Sequence, residues 1–595
     1  MVTARPQPAQ AQVLVVGAGP AGLTTAHELA RRGLRVRLID AAAGPRRAGG
    51  AVAVHPRTLE TLDQMGLARR LLEHGRSNSA FTVSAGGRPI LRLDTGDAGP
   101  DRPPTRFPYT VVIEQSRTED LLREALGRLG ISVEWGVRLT GLTQDADRVR
   151  VRLRRDGTQQ DEAYEVPWLV GCDGRHSTVR ERLRLPLRGS GTERWELADV
   201  HVAAGDLPQD TVHWVHTGGG RSLLMLPYAC EGRWRLLAGD PAGPDDDPRP
   251  AHERYSALLS AGLGRPVRVG EPEWACVRTF KLRTAERMHE GRCFIAGEAA
   301  HGDSPGSGQG MNTGIQEAYN LGWKLAMVEH GWAGRELLDT YGQERVPVGR
   351  ALLEPGRESL LARFAHVLAG LALPALLGLV RRTWLLDRAV RPFVREAVRR
   401  RMLCGTAGLG LGYPQSPLST PPPGPGGGPH GPGGPGGPGG PGGPGGPGLP
   451  AGSRAAGAAA RFPGDPGTEG LRAELRDVRW SLLYVPEATG EAREAAQAAL
   501  ERYGAWLSVR TVEPDRARSR SGPRLLADPG GRLRQALGMS AGSWLLVRPD
   551  GYTAGGGPEL TGAALAAALA PADPRPAPLL EVLREREARG MRRVV

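Results

Sequence analysis

The sequence predicts an α/β protein that combines a Rossmann-type dinucleotide-binding domain, an antiparallel-sheet domain and a further α/β domain at the C-terminus. Three observations support this fold class. Residues 13–40 read as strand, glycine-rich turn, helix and strand. Residues 186–280 contain short segments in which apolar and polar residues alternate, as in half-buried strands. Residues 479–552 follow a βαβ order that ends in a hairpin.

The segment 13–40, VLVVGAGPAGLTTAHELARRGLRVRLID, carries a GxGxxG fingerprint where its first strand becomes a helix. The pattern predicts a tight turn at Gly17, close approach of a pyrophosphate at Gly19, and close packing of helix on strand at Gly22. Asp40 ends the second strand, where a carboxylate can hold ribose hydroxyls. Because strand, helix, second strand and acid are all present, the segment predicts a bound dinucleotide.

A second glycine-rich turn occurs at residues 297–314, GEAAHGDSPGSGQGMNTG, with six glycines between an apolar strand and a helix. Glycine accepts positive φ and lets a ligand come close to the backbone. The start of a helix presents unpaired N–H groups and the positive end of the helix dipole. The turn therefore predicts a bound electron-rich group. Because it lies far along the chain from the glycine-rich turn at Gly17, it cannot be part of the same pyrophosphate turn.

Composition limits the classes of function. A chain of 595 residues has room for about three to four domains. The net charge of +13 does not indicate nucleic-acid binding, because the arginines are spread among 64 acids and only two lysines occur. Five cysteines without a CxxC pair predict a reducing, cytoplasmic location and neither a disulfide scaffold nor a metal site.

Neither the N-terminal segment nor the most apolar stretch of the chain indicates a membrane protein. The N-terminal MVTARPQPAQAQ is too polar and too short for a signal peptide. The apolar stretch at 364–380 is shorter than the ~20 residues that a transmembrane helix needs. We therefore expect no transmembrane span, and a buried or surface-docked helix at 364–380.

Two further motifs give the sequence a family resemblance. Residues 297–326, GEAAHGDSPGSGQGMNTGIQEAYNLGWKLA, resemble the second FAD motif of the group A flavoprotein monooxygenases, and GCDGRHSTVR at 171–180 resembles their DG motif. Together with the first fingerprint, the three motifs stand in the family's order over about residues 12–350. The chain is most similar to hydroxylases of aromatic rings that tailor polyketides and to phenol-hydroxylase-like enzymes.

The resemblance implies a reaction and its partners. Members of the family bind FAD, are reduced by NAD(P)H and use O₂ to hydroxylate a small aromatic substrate. A C4a-hydroperoxide of the reduced flavin delivers the oxygen, so the cofactor carries the difficult chemistry and the protein supplies placement and exclusion of water. No catalytic residue follows from this, and the sequence does not identify a base that would activate a phenolic substrate.

The resemblance also implies a set of cofactor-binding residues. Glu298, in the place of the family's usual Asp, would meet the ribityl hydroxyls of FAD, and Asp173 of the DG motif would lie near the cofactor. Pro305 would follow the flavin edge. The negative charge of reduced flavin would be held by N–H groups at the helix start, around Gly310, Met311 and Asn312.

Three more positions match the family less closely. Arg47, in RAGG after the second strand, matches a segment whose arginine meets the cofactor. Gln115, in VIEQSRTEDLL, matches a glutamine that reaches the flavin, and Arg117 competes with it for that role. The lone His301 is expected to be a structural hydrogen-bonding group.

The predicted domain boundaries follow from these motifs and from one change in composition. Residues 421–450 consist almost entirely of Gly and Pro, so they are expected to be a disordered linker. The part after the linker resembles the thioredoxin-like domain of phenol hydroxylases, but no cysteine follows Cys404, which excludes dithiol chemistry there. The predicted order is FAD-binding domain (1–185), substrate domain (186–280), FAD-binding domain with a helical connector (281–420), linker (421–450) and thioredoxin-like domain (451–595).

Two alternatives remain open. Baeyer–Villiger oxygen insertion uses the same scaffold, and the sequence does not separate it from hydroxylation. A non-catalytic flavin-binding interaction protein is disfavoured by the complete FAD motifs, and a flavin halogenase by the lack of a WxWxIP segment. The exact substrate, the choice between NADPH and NADH, and the oligomeric state also stay open.

Overall fold

The computed structural model describes residues 10–573 except for 48–49, 95–103, 204–206, 219–220, 240–248, 303, 354–403, 406, 421–448, 488–489 and 515–523. The predicted apolar helix at 364–380 and nearly all of the predicted linker at 421–450 lie outside these residues. Within the described ranges, no helix combines the length and the apolar character that a membrane crossing requires.

The first part of the chain, through residue 353, alternates between strands and helices. Its strands are β1 (Val13–Val16), β2 (Val36–Asp40), β3 (Ala53–Val54), β4 (Arg76–Asn78), β5 (Ala80–Ala85), β6 (Arg88–Asp94), β7 (Thr110–Val112), β8 (Val133–Trp135), β9 (Val137–Gln144), β10 (Val149–Arg155), β11 (Asp161–Val166), β12 (Trp168–Gly171), β13 (Leu187–His201), β14 (Thr211–Gly218), β15 (Arg221–Pro227), β16 (Arg233–Gly239), β17 (Trp274–Ala285), β18 (His289–Glu290), β19 (Cys293–Ile295) and β20 (His301–Gly302). Its helices are α1 (Pro20–Ala30), α2 (Pro56–Gln64), α3 (Ala68–His74), α4 (Gln115–Arg128), α5 (Thr178–Arg182), α6 (Ala251–Leu263), α7 (Gln309–Glu329) and α8 (Glu336–Leu353).

The C-terminal part forms a separate α/β unit. Its helices are α9 (Ala455–Ala459), α10 (Pro466–Glu474), α11 (Glu491–Tyr503), α12 (Arg532–Leu537) and α13 (Gly562–Leu569). Its strands are β21 (Trp480–Tyr484), β22 (Leu507–Glu513), β23 (Arg524–Ala527), β24 (Trp544–Val547) and β25 (Thr553–Gly557).

A mainly parallel sheet in the order β18-β19-β12-β1-β2-β8 forms the centre of the first part. The central strand β1 is buried along its whole length and pairs in parallel with β2 and β12, with Val13 opposite Val36 and Trp168. Because the strands run in the same direction, the carboxyl ends of β1, β2, β12 and β19 meet at one edge. This arrangement confirms the predicted Rossmann-type domain.

An eight-stranded sheet in the order β20-β17-β13-β16-β15-β14-β5-β6 covers that edge. Its pairs are antiparallel except for β14 with β5, which join in parallel with Thr211 opposite Ala80. The sheet takes β5 and β6 from residues 80–94, which the predicted substrate domain at 186–280 does not include. Local alternation cannot show such a pairing, because the partner strand lies about 130 residues further along the chain.

The C-terminal unit has the predicted thioredoxin-like fold, with a five-stranded sheet in the order β23-β22-β21-β24-β25. Strands β21 and β22 are parallel and are joined through α11, whereas β24 and β25 form the antiparallel hairpin. Strand β23 and helix α12 were not anticipated by the sequence. The unit packs on α7, where the rings of Trp323 and Trp480 meet edge to face at 5.6 Å.

A buried cluster of charges lies at the same interface. Glu344 of α8 accepts hydrogen bonds from Lys324 Nζ at 2.7 Å and from Arg548 Nη1 at 2.6 Å, and Arg548 also binds Asp550 at 2.6 Å. All four side chains are almost inaccessible to solvent. Burial lowers the pKa of Lys324 to about 8, although Glu344 opposes this shift. The cluster contains two cations and two carboxylates, so its charges balance. It holds the C-terminal unit against α7.

Replacing Arg548 with Met is expected to destabilise the protein by about 3–5 kcal/mol, because a buried carboxylate loses its cation. The free energy of unfolding in urea measures this loss. The double variant Arg548→Met/Asp550→Asn restores the balance of charge and should lose less. Equal losses in the single and the double variant would show that charge pairing does not hold this interface.

Candidate active site: a cavity between the two large sheets

One cavity of about 1080 Å³ lies between the carboxyl edge of the parallel sheet and the eight-stranded sheet. Its floor is formed by the ends of β1, β2 and β12, and the start of α7 reaches it from the side. The eight-stranded sheet forms its roof. The cavity therefore brings together all three glycine-containing motifs that the sequence singled out.

The three glycines of the β1–α1 turn have different roles. A Cβ on Gly17, which has φ +102°, would lie 2.3 Å from the carbonyl oxygen of Cys172. A Cβ on Gly22 would lie 1.8 Å from the carbonyl oxygen of Gly17. Gly19 lines the cavity, and a Cβ there would meet nothing within 4 Å. Gly17 and Gly22 thus permit backbone packing, whereas Gly19 leaves space for a ligand at the start of α1.

Asp40 braces this turn from the end of β2. Its Oδ2 accepts the Ala18 N–H at 2.6 Å, and its Oδ1 accepts the Ala42 N–H at 2.8 Å. The side chain also lines the cavity. The carboxylate therefore fixes the glycine turn and can accept further hydrogen bonds from a ribose.

At the start of α7, a second set of backbone N–H groups points into the cavity. Gly308 adopts φ +62° immediately before the helix, and the first turn contains no acidic residue. Gly310 and Met311 line the cavity, as does Pro305 in the single-turn helix that precedes α7. The first N–H groups of a helix have no partner within it and attract negative charge.

Asn312 differs from Gly310 and Met311 in the role of its side chain. Its side chain is fully buried and does not line the cavity. Its Oδ1 accepts the His55 N–H at 2.9 Å, and its Nδ2 donates to the carbonyl oxygens of Ala53 at 2.8 Å and Gly308 at 2.6 Å. Asn312 therefore holds the cavity wall around β3 against the turn that starts α7.

The two acidic residues that the sequence analysis proposed in the later motifs, Asp173 and Glu298, both line the cavity. Glu298 is exposed, in a single-turn helix after β19. Asp173 accepts hydrogen bonds from Ser177 Oγ at 2.5 Å and from the Val179 N–H at 3.1 Å, and burial raises the pKa of its carboxyl. Asp173 thus shapes the DG turn, while the Glu298 carboxylate is open to a ligand.

Glu317 was not among the predicted site residues. Its side chain supports the turn at Gly297. Its Oε2 accepts the Gly297 N–H at 2.9 Å and lies 3.2 Å from Nε2 of His301. Both side chains are buried, which agrees with a structural role for His301. The position of Glu317 within the second FAD motif was the available signal.

The structure distinguishes among the three weaker candidates. Gln115 lines the cavity, and its Oε1 accepts the Ala51 N–H at 2.8 Å. Arg117 lies away from the cavity beside His74, since two positions along a helix differ in direction by about 200°. Arg47 is exposed and does not line the cavity, whereas its neighbour Arg46 does. Arg46 could not be chosen over Arg47 from the sequence.

The roof is mainly apolar. Trp214, Leu224, Leu237 and Leu197 stand opposite one another on adjacent strands and all line the cavity. Trp214 lines the cavity, whereas Met225 packs on the opposite face of the sheet. A strand turns successive side chains to opposite faces, so Leu224 and Leu226 take the cavity side.

A buried ion pair interrupts this apolar roof. Arg235 of β16 binds Asp199 of β13 through Nε at 2.7 Å and Nη2 at 3.0 Å. Its Nη1 donates to the carbonyl oxygen of Gly50 at 2.7 Å. Because Gly50 lies beside Gln115 on the cavity wall, this arginine ties the roof to the wall.

These groups fit FAD. The open position at Gly19 and the N–H groups of α1 suit the pyrophosphate, Asp40 suits the adenosine ribose, and Glu298 suits hydroxyls further along the cofactor. The start of α7 suits the electron-rich part of a flavin ring. The fold and the site together define a flavoprotein of the FAD-dependent monooxygenase class.

Comparison with known proteins gives the family. Residues 10–355 match the family described as "FAD binding domain", and the chain belongs to this family. It is 45% identical to 6-methylpretetramide 4-monooxygenase from Streptomyces rimosus over 92% of this chain and 90% of that one. It is 34% identical to pentachlorophenol 4-monooxygenase from Sphingobium chlorophenolicum over 59% of this chain and 65% of the other.

A solved structure extends the likeness to the whole fold. The anhydrotetracycline hydroxylase from Streptomyces rimosus superimposes with a TM-score of 0.64 at 26% identity, over 95% of this chain and 99% of that chain. The predicted cofactor and enzyme class are confirmed: the chain is an FAD-dependent aromatic monooxygenase that uses NAD(P)H.

Replacing Gly19 with Val should abolish FAD binding and leave the fold intact. Gly19 has an ordinary extended backbone (φ −75°, ψ −177°), and a side chain there meets no protein atom but enters the space of the pyrophosphate. Flavin absorbance per protein measures binding, and circular dichroism checks the fold. Gly22→Val is the contrast, since its side chain overlaps Gly17 and should cost stability. Full flavin content in Gly19→Val would place the pyrophosphate elsewhere.

Replacing Glu298 with Gln should weaken FAD binding by roughly 1–3 kcal/mol, the usual scale for a lost charged hydrogen bond. Titration of apo-protein with FAD, followed by flavin fluorescence, gives the affinity. Glu298→Asp tests whether the backbone here has adapted to the longer side chain. Glu336→Gln, at an exposed position of α8, is the control. Unchanged affinity in both Glu298 variants would remove this residue from the site.

Proposed function

We propose that this enzyme hydroxylates a polycyclic phenolic substrate of the polyketide type. One observation carries the proposal: the dinucleotide cradle and the apolar roof belong to a single cavity of about 1080 Å³. A cavity of this size has room for a flavin and for a fused-ring molecule beside it. The relative that shares 45% identity over nearly its whole length is named for an oxidation of 6-methylpretetramide.

Bound FAD, reduced by NAD(P)H, would supply the electrophilic oxygen that enters the aromatic ring. The residues of this chain bind the cofactor and the substrate, orient them, and exclude water. Trp214, Trp274 and Phe280 line the roof, where they suit the faces of an aromatic substrate. We propose that Gly17, Gly19, Gly22, Asp40 and Asp173 form or position the dinucleotide end, and that Gln115, Glu298, Pro305, Gly310 and Met311 form the flavin end.

Charge on the cavity wall supports the use of phosphate-bearing cofactors. Arg46, Arg175, Lys281 and Arg283 all line the cavity, mostly from exposed positions near its mouth. They suit the phosphates of FAD and NAD(P)H. We also propose a cytoplasmic location, since NAD(P)H is available there and the five cysteines are free thiols.

The reaction can be tested with ¹⁸O₂ and a panel of polycyclic phenols, part of which also carry a ring ketone. We expect NAD(P)H oxidation to accelerate with a true substrate, and the product to carry one atom of ¹⁸O on a ring carbon. Mass spectrometry measures incorporation, and NMR distinguishes a new phenol from the lactone that Baeyer–Villiger insertion would give. Protein stripped of FAD is the control. NAD(P)H oxidation that yields only hydrogen peroxide across the panel would contradict the proposal.

A further inference from the structure

Strand β17 carries an arginine on its cavity face, between two aromatic side chains. The strand alternates between half-buried and exposed positions, and its half-buried Trp274, Cys276 and Phe280 pack on the apolar cluster of the roof. Because successive side chains of a strand point to opposite faces, Arg278 shares the face of these three residues. It is itself half-buried and lines the cavity.

A contact across the sheet places Arg278 near the turn that leads into α7. Its neighbour on β13 is Trp195, and directly opposed residues of an antiparallel pair point to the same face. The Trp195 ring lies against this turn, since a Cβ on Gly306 would be 3.0 Å from it. Pro305 of the same turn lines the cavity. Arg278 therefore lies beside the turn that we assign to the flavin end.

The guanidinium of Arg278 makes no ion pair and no hydrogen bond with the part of the chain that the structure describes. The other arginine of the roof differs, because Asp199 and the Gly50 carbonyl bind Arg235. Water solvates an unpaired cation on a cavity wall. A substrate that covers the cation removes this water, which costs free energy unless the substrate itself supplies an acceptor.

We propose that Arg278 binds an anionic oxygen substituent of the aromatic substrate, either a carboxylate or an ionised phenol. This assignment rests on the proposed function, because it takes the cavity to hold an aromatic ring. The guanidinium presents several N–H donors that match such oxygens, and Trp274 and Phe280 on the same face suit the ring. The contact selects acidic polycyclic compounds over neutral ones and holds the acidic ring near the flavin end.

The pair 1-pyrenecarboxylate and 1-pyrenecarboxamide tests the contact, because the two probes have nearly the same shape and differ in charge. Fluorescence titration of the FAD-loaded, oxidised enzyme without NAD(P)H gives both affinities without turnover. We expect Arg278→Met to weaken carboxylate binding about ten- to a hundredfold, the usual range for a bond between charged groups. The neutral carboxamide should lose less, so that the ratio of the two affinities falls at least about threefold.

Three further variants serve as controls. Arg194→Met removes a charge from an exposed position of β13 that does not line the cavity, and should leave the ratio unchanged. Arg278→Lys keeps the charge and should retain a preference for the carboxylate. Arg278→Gln repeats the neutral substitution with a polar side chain and should behave as Arg278→Met does. Flavin content and thermal unfolding show whether each variant is folded.

A third probe distinguishes the two kinds of anion. 1-Hydroxypyrene is titrated at one pH where its hydroxyl is neutral and at another where it is ionised. Weaker binding of the ionised form to Arg278→Met than to wild type supports a contact with phenolates as well as carboxylates. An ionised form that binds both proteins equally overturns the phenolate part of the proposal.

The outcomes separate this assignment from the proposed function. The same ratio of carboxylate to carboxamide affinity in wild type and Arg278→Met overturns the role of Arg278, even if the enzyme hydroxylates phenols. Anaerobic flavin reduction at increasing NADPH gives a second check: a weaker response to NADPH with an unchanged probe ratio assigns Arg278 to the coenzyme and also overturns the proposal. A selectivity that depends on Arg278, in a protein that oxygenates no aromatic compound, supports the contact and overturns the proposed function.

Discussion

The close contact between α1 and α7 is the constraint on which the site depends. The two helices approach through residues without large side chains: a Cβ on Gly314 of α7 would lie 3.3 Å from that of Ala21 of α1. Gly297, in the turn after β19, lies against both, since a Cβ on it would lie 2.9 Å from that of Ala21. Further along, a Cβ on Gly322 would lie 2.6 Å from the Cβ of Glu28. Glycine is used here because the backbones could not come so close with larger residues.

Gly302, Gly306 and Gly308, which stand between β19 and α7, lie against Lys281, Trp195 and Ala53, whereas Gly297 takes part in the contact of α1 with α7. This contact brings the starts of two helices to one cavity, so that two sets of backbone N–H groups face the same ligand. One set suits a pyrophosphate and the other suits the electron-rich part of a flavin. A cofactor with both features satisfies the two helices at once, as FAD does.

The sequence predicted the parts of the site that depend on local backbone geometry. Gly17, Gly19 and Gly22 could be assigned distinct roles because the strand–turn–helix unit is a short-range structure with a known shape. The role of Asn312 could not, since it depends on β3, more than 250 residues away. The choice of Arg46 over Arg47, and the pairing of β5 with β14, likewise depend on tertiary contacts that no local pattern encodes.

Two groups of buried ion pairs have different structural roles in this protein. A buried ion pair seldom stabilises a fold more than apolar residues of the same shape, so its value lies in what it specifies. The cluster of Lys324, Glu344, Arg548 and Asp550 is closed on itself and specifies how the C-terminal unit sits on α7.

In the pair of Asp199 and Arg235, the arginine instead faces the cavity from the roof. Its third hydrogen bond, to Gly50, sets the position of the wall that Gln115 holds from the other side. Apolar side chains could fill the same space in the roof but could not donate a hydrogen bond to the backbone carbonyl of Gly50. Arg235 therefore helps to set the spacing between the roof and the cofactor wall, together with Arg233 of the same strand, whose guanidinium pairs with Glu114 beside Gln115.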